Sequence, residues 1–301
     1  MISFKIFHGH GLPYTRELVH QGKTYKATYL RGGLGNGMFQ VAAGLSLAHH
    51  NQDTFAIPDN PQLWVYNKYF EQPFDYVKIR DLEDPYIYEH KHVEYEPIEY
   101  KKGNTLLHGL FQNEQYFAEC KEHILDRFTF KSDVIGSVKT KLDEISQGKP
   151  TCGVHVRRGD YVYQPSLYNL CSVDYYERAF THIRKKYNND VQFVIFSDDI
   201  TWCKRTFIGE DFIFVESNTD AHQGEPSDIF DMMYMTLCSS NIVANSTFSW
   251  WGAWLNTNPD KTVITPSWSS GSWIGTVHRR SDPSTFYSAD VSQSINGWIK
   301  V

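Results

Sequence analysis

The stretch Thr151-Cys152-Gly153-Val154-His155-Val156-Arg157-Arg158-Gly159-Asp160-Tyr161 decides how this chain is read. Its first half is a short apolar run that reads as a buried strand. Its second half places a ring donor, two guanidiniums and a carboxylate at the strand's end. Side chains alternate across a strand, so His155 and Arg157 are expected on one face and Val156 and Arg158 on the other. In an open α/β sheet, ligands sit at the carboxyl ends of strands. Arginine suits a diphosphate there, because its planar fork donates two parallel charge-assisted hydrogen bonds, each worth roughly 1.5 to 3 kcal/mol. The same cluster also suits a loop tied down by ion pairs, so the flanking sequence has to decide.

Downstream, the pattern is regular. The strand 151–157 is followed by a helix over Tyr175–Tyr187 with Asp174 as its expected N-cap, a strand over Val191–Ser197 and a helix over Ile200–Phe207. A strand at Phe212–Val215, a helix at Ser227–Cys238, a strand at Asn241–Ala244, a helix at Phe248–Leu255 and a strand at Thr262–Thr265 complete the series. Upstream, a second series has a strand at Lys26–Leu30, a glycine loop, a helix from about Met38 to His50, and strands at Thr54–Ile57 and Thr105–Leu110. Residues 60–102, crowded with Tyr, Pro and Glu, predict loops and short helices. Helical spacing returns at Glu114–Arg127 and Val134–Ile145 and stops at Gln147-Gly148-Lys149-Pro150. Such alternation predicts an α/β protein built of βα units on parallel sheets. The stop predicts a boundary between domains 1–148 and 149–301.

Composition narrows the function. A chain of 301 residues, 41% apolar, can build two ordinary domains. A net charge of -6 argues against a broad nucleic-acid or anionic-membrane footprint, while leaving room for a local basic pocket. The five cysteines, Cys120, Cys152, Cys171, Cys203 and Cys238, are scattered and lack CxxC spacing, as expected of reduced thiols in a cytoplasmic protein. The N-terminal residues carry no apolar signal region, and no run of 18 apolar residues occurs. A secretion signal and an integral membrane segment are therefore not expected.

Three further motifs frame the central one. Arg31-Gly32-Gly33-Leu34-Gly35-Asn36-Gly37-Met38-Phe39-Gln40 is a strand-to-helix turn whose glycines let backbone come close to something in a cleft, although it also suits a plain tight turn. It departs from GxGxxG, which disfavours a dinucleotide. Ser197-Asp198-Asp199 ends an apolar run with two carboxylates; one could accept hydrogen bonds from guanine N1 and N2, and either could cap the next helix. Asn245-Ser246-Thr247-Phe248-Ser249 opens a helix with hydroxyls and free N–H groups, an oxygen-anion cradle. Its sequon is discounted because Phe248, Trp250 and Ala253 belong in a core, and the spacing of Trp250, Trp251 and Trp254 predicts packing over sugar stacking. No DxD pair and no HExxH or similar spacing is present, so no metal is expected on a diphosphate.

Taken together, GGLGN with FQ, HVRRGDY, IFSDDITWCK and ANSTFSWWGAWL resemble the α-1,2-fucosyltransferases of glycosyltransferase family 11, over roughly residues 31–267. The resemblance implies a GT-B architecture, two Rossmann-like domains with parallel sheets facing a cleft. It also implies a GDP-fucose donor held mainly by the C-terminal domain, a β-galactoside acceptor near the N-terminal one, inversion at the anomeric carbon and no metal requirement. By position it implies that His155 and one of Asp198 and Asp199 face the guanine. Arg157, aided by Arg158, would meet the diphosphate, with Asn245, Ser246, Thr247, Phe248 and Ser249 lining the diphosphate and ribose, and Gly33, Gly35, Asn36 and Gln40 closing over the cleft. Gly37 and Val41 stand where the family commonly has Gln and Tyr. Arg157 and Asp160 are the candidate catalytic residues; Asp160 is either the general base or a group that orients an arginine. Competing readings are a transferase of the same fold with another GDP-sugar or linkage, and a non-catalytic nucleotide-sugar or glycan-binding protein.

Overall fold

The computed structural model describes residues 24–60, 64–90, 95–165, 168–216, 226–267 and 297–301. The N-terminal 23 residues, Trp268 and Trp273 lie outside them. The first half contains β1 (Tyr25–Thr28), α1 (Leu34–Asn51), β2 (Thr54–Pro58), β3 (Asp75–Val77), β4 (Tyr86–Glu89), β5 (Thr105–His108), α2 (Lys121–Arg127) and α3 (Ser132–Ser146). The second half contains β6 (Thr151–Val156), α4 (Gly159–Tyr163), α5 (Val173–Lys186), β7 (Gln192–Ser197), α6 (Ile200–Thr206), β8 (Phe212–Phe214), α7 (Ser227–Leu237), β9 (Ser240–Ile242), α8 (Thr247–Trp254), β10 (Val263–Thr265) and β11 (Ile299–Lys300).

Two wholly parallel sheets result, in the orders β3-β2-β1-β5-β4 and β11-β10-β9-β6-β7-β8. Every residue of β6 is buried, which is why its sequence is mostly apolar instead of alternating. Numbered from β6, the second order is 3-2-1-4-5-6, the dinucleotide-fold arrangement, with its switch point between β6 and β9. In the first sheet β1 lies at the centre, beside β5. The switch point opens a crevice at the strands' carboxyl ends, and the segments that follow β1, β5, β6 and β9 line one shared cleft.

The halves are joined by a common core. Phe39 of α1 lies 4.6 Å from the Trp250 ring of α8, and Phe117 stacks on Trp251 at 5.3 Å. Leu142 of α3 is buried beside Val194, Phe196, Met235 and Cys238. These tryptophans pack the seam, as their helical spacing predicts, and their apolar burial holds the cleft walls in register.

Several local expectations change. The helix expected from Met38 begins at Leu34, so Gly35 and Gly37 lie inside it. A glycine there costs about 1 kcal/mol relative to alanine, and here space decides. A Cβ on Gly35 would fall 2.4 Å from the Phe248 backbone nitrogen, and one on Gly37 would fall 2.6 Å from the Trp64 ring. Residues 60–102 contribute β3 and β4, missed because strands of three and four residues are too short to show a period. The helix expected over Glu114–Arg127 is two 3-10 turns followed by α2, since Phe117 adopts φ -143 and ψ 7, outside the helical region. The cap of α5 is Ser172, whose hydroxyl accepts from Tyr175 N–H at 3.1 Å. Asp174 instead sits in the first turn and pairs with Arg178.

Candidate active site

The cleft has a volume of about 600 Å³ and takes its walls from both halves. From the first come Gly33, Gly35 and Asn36 at the mouth of α1 with Leu110 and Gln112 after β5; from the second come His155, Arg157, Asp160, Asp198 and the Ser246–Phe248 turn. Gly32, at φ +85, makes the left-handed turn that starts α1. Phe111 is also left-handed, at φ 51, which costs a non-glycine residue on the order of 1–3 kcal/mol; its neighbours Leu110 and Gln112 both line the cleft.

The two helix mouths meet across this space. Neither Gly33 at the start of α1 nor Ser246 at the start of α8 caps its helix with a side-chain hydrogen bond, so first-turn N–H groups of both remain available to a ligand. Asn36 Oδ1 accepts from the Thr247 hydroxyl at 2.8 Å and from the Gln112 amide at 2.9 Å, fastening one mouth to the other. Two positive helix ends and a guanidinium thus converge, a strong preference for an anion.

Arg157 sits among acceptors that fix its fork. Its guanidinium bonds both Asp160 and Asp198 and lies over the Tyr161 ring, 4.9 Å from the centroid. Tyr161 in turn stacks on Tyr168 at 4.1 Å and 4°. Asp198 Oδ1 accepts from the backbone N–H groups of Arg158 at 2.8 Å and Gly159 at 3.0 Å. Gly159 is required by this closure, because a Cβ would stand 2.5 Å from Asp198 Oδ2.

His155 is 7% exposed, its ring 5.0 Å from that of Phe248, and its Nδ1 is buried without a hydrogen-bond partner. Burial, and secondarily the charge of Arg157, holds its pKa down to about 3, so the imidazole is neutral near pH 7. A neutral ring offers one donor and one acceptor, which suits a nucleoside edge.

Other expected site residues are turned elsewhere. Arg158 lies over Trp202, 3.9 Å from the ring centroid, and donates to Asp199 at 3.0 Å, away from the residues that line the cleft. Strand alternation gives the reason: adjacent residues leave β6 on opposite faces. Asp199 caps α6 by accepting from Trp202 N–H at 3.1 Å. Gln40 is fully buried, exchanging hydrogen bonds with Arg31 and donating to the Gly109 carbonyl, so it clamps the strand ends under the cleft floor. Ser249 is spent on the Ala244 and Ser246 carbonyls, and Asn245 on the Asn169 carbonyl and the Cys171 thiol. Asn245 is fully buried, which removes it as a glycosylation acceptor.

Sequence reasoning missed Ser227, Asp228 and Asp231 at the start of α7, together with Tyr161, Tyr168 and Gln112. An acidic first turn is common on any helix, so only topology reveals that this one opens into the cleft. Among the described residues no group of three or more His, Cys, Asp or Glu could hold a metal ion, and no helix is long and apolar enough to cross a membrane.

Residues 23–276 match the model of glycosyl transferase family 11. The O-antigen biosynthesis glycosyltransferase WbnK of Escherichia coli is 33% identical over 177 residues, 56% of this chain and 57% of that protein. An alpha-1,2-colitosyltransferase of Escherichia coli is 35% identical over 174 residues, 55% of this chain and 56% of that protein. The galactoside 2-alpha-L-fucosyltransferase Sec1 of Mus musculus is 28% identical over 200 residues, 59% of this chain and 53% of that protein. The aligned part of the chain therefore spans little more than half the length of these relatives. Among solved structures, POFUT1 in complex with GDP-fucose superposes with a TM-score of 0.53 at 10% identity, covering 80% of this chain and 97% of that one. A mutant of Arabidopsis thaliana FUT1 in complex with GDP gives 0.52 at 11% identity, covering 87% of this chain and 72% of that one. At such identities the likeness speaks for the fold, a GT-B-like pair of parallel sheets about a cleft. By the match over most of its length, the chain belongs to glycosyl transferase family 11.

Proposed function

We propose that this chain transfers L-fucose from GDP-β-L-fucose to the 2-hydroxyl of a terminal β-galactoside, with inversion and without a metal ion. The observation that carries the reading is the convergence of two uncapped helix mouths, those of α1 and α8, on the cleft that holds the Arg157 guanidinium. In fucosyl transfer the bond between C1 and the diphosphate breaks while an acceptor hydroxyl attacks the opposite face. Negative charge grows on the departing GDP and positive charge on the sugar. Arg157, oriented beforehand by Asp160 and Asp198, meets that negative charge without reorganising, and the N–H groups of α1 and α8 share it.

Asp160 is better suited to orienting Arg157 than to taking the acceptor proton, because the carboxylate is already engaged by the guanidinium. Arg158 and Asp199 support the β6 and β7 ends from outside the cleft. His155 and Phe248, their rings 5.0 Å apart, form an aromatic wall of the cleft for the nucleobase. Incubation with GDP-fucose and lactose, followed by mass and linkage analysis, tests the reading: one deoxyhexose joined to galactose at its 2-hydroxyl is expected, and an unmodified acceptor contradicts it.

A second reading is favoured by one specific relative. The 35% identity to an alpha-1,2-colitosyltransferase supports another GDP-linked deoxysugar as donor with the same linkage. Competition between GDP-fucose and GDP-colitose in the same assay separates the two, since a pocket shaped for one sugar hydroxyl discriminates strongly against its absence.

A further inference from the structure

Beside Arg157 the cleft is walled by a pair of tyrosines, one of which the reaction outlined above leaves without a task. We propose that Tyr168 is a specificity-determining residue of the acceptor subsite, its open ring surface stacking on the apolar face of the galactose that receives the sugar. The inference rests on the reading of the cleft as a fucosyl-transfer site.

Tyr161 and Tyr168 both line the cleft, and their rings stack 4.1 Å apart with an interplanar angle of 4°. The Arg157 guanidinium stands over the Tyr161 ring, 4.9 Å from its centroid. Tyr161 is 7% exposed, so these contacts and the surrounding core use up its ring. Tyr168 is only partly buried. Tyr161 covers one of its faces, which leaves the other face and the ring edge as the surface that Tyr168 offers to the cleft.

That surface is held in place, as a platform for a reacting substrate must be. The Tyr161 hydroxyl donates to the Asn245 carbonyl at 3.4 Å. The buried Asn245 side chain donates to the carbonyl of Asn169, next to Tyr168, and accepts from the Cys171 thiol at 3.6 Å. On the other side, the Tyr168 N–H donates to the Gln164 carbonyl at 3.0 Å. The ring is thereby tied to the residues that lead from β9 into the mouth of α8, and Asn245 becomes the anchor of the platform.

Position decides which substrate the ring meets. Phe248 pairs with His155 inside β6, whereas Tyr161 pairs with Arg157 just past the end of that strand. With the base against the first pair and the diphosphate on the guanidinium, the second pair is left to the sugar end of the donor, where C1 and the attacking hydroxyl meet. A β-galactoside suits such a ring. Its axial 4-hydroxyl leaves the hydrogens of C3, C4 and C5 together as one apolar patch, and a tyrosine presents a large, rigid apolar surface at small entropic cost.

Four measurements test the assignment: the KM for lactose, the KM for GDP-fucose, the hydrolysis of GDP-fucose without lactose, and calorimetric binding of GDP. Tyr168→Leu and Tyr168→Gln, which keep similar reach but lose the ring, are expected to raise the lactose KM about 10-fold. Their donor KM, hydrolysis rate and GDP affinity should stay within about twofold of wild type, and Tyr168→Phe within about threefold in all four. A wild-type lactose KM in the two ringless variants overturns the inference. So does a loss of GDP affinity or of hydrolysis as large as the loss of transfer, which would make the ring a support of Arg157 alone. A wild-type chain that neither transfers nor hydrolyses the donor overturns the reading of the cleft as well.

Discussion

Asn36 and Thr247, 211 residues apart, are hydrogen-bonded across the cleft, with the Thr247 hydroxyl donating to the Asn36 side-chain carbonyl at 2.8 Å. The bond ties the first turn of α1 to the first turn of α8, so the two anion-facing mouths move as one piece. A double-mutant cycle of Asn36→Ala and Thr247→Val, followed by denaturant unfolding, should return a coupling of about 0.5–1.5 kcal/mol. Strict additivity would mean that the two mouths are positioned independently.

Gly35 should tolerate no side chain. Its Cβ would meet backbone atoms of Thr247 and Phe248 at 2.5 and 2.4 Å, whereas Gly33 faces open space. Gly35→Ala is expected to cost about 1–3 kcal/mol, a fall of several degrees in Tm, and to lower kcat/KM by parting the helix mouths. Gly33→Ala should keep a near wild-type Tm. Equal melting temperatures for the two variants would contradict the close approach.

The two arginines should separate cleanly in kinetics. Arg157→Ala is expected to lower kcat/KM by on the order of 10² to 10³, as for loss of a preorganised oxyanion donor. Arg158→Ala removes a contact with Trp202 and Asp199 outside the cleft and should cost less than about 10-fold, with most of its effect on stability. Arg157→Ala with more than half of wild-type turnover would refute the assignment.

Asp160→Asn reports on the same arginine. Because the Asp160 carboxylate bonds the Arg157 guanidinium, the structure predicts a large rise in donor KM with the pH profile of kcat/KM unchanged in shape. Loss of the acidic limb at a near-normal donor KM would instead make Asp160 the general base.

His155 has a pKa near 3 in the folded chain, against 6.5 for the free side chain. Between those values the unfolded chain binds the proton and the folded chain does not, so the contribution of His155 to stability is complete above pH 6.5 and is lost as pH falls toward 3. Its imidazole resonances should stay at neutral-form shifts between pH 5 and 8. His155→Asn should flatten the acid limb of Tm against pH. A midpoint near 6.5 for His155 would contradict its burial.

How much of this was legible beforehand follows from residue geometry. The buried strand Thr151–Val156 announced itself because both its faces are covered, and the parallel α/β class then followed from the alternation of strands and helices, while the order of the strands came only with the structure. Runs such as His155 to Asp160 and Ser246 to Phe248 were readable as site residues because they follow strands directly. Which side chain of each run faces the ligand was harder to read. Arg158, Asp199, Gln40, Asn245 and Ser249 have the right chemistry, but neighbours within the fold use their polar atoms. Asp228 was invisible because an acidic first turn is common on any helix and only the topology brings this one to the cleft.

Arg157 and the mouths of α1 and α8 are expected to neutralise departing GDP unaided. Fucose transfer to a β-galactoside, timed after exhaustive EDTA treatment and again after adding manganese, tests this most directly. Rates equal within about twofold are predicted. An enzyme that stays idle in EDTA and revives with manganese would contradict it.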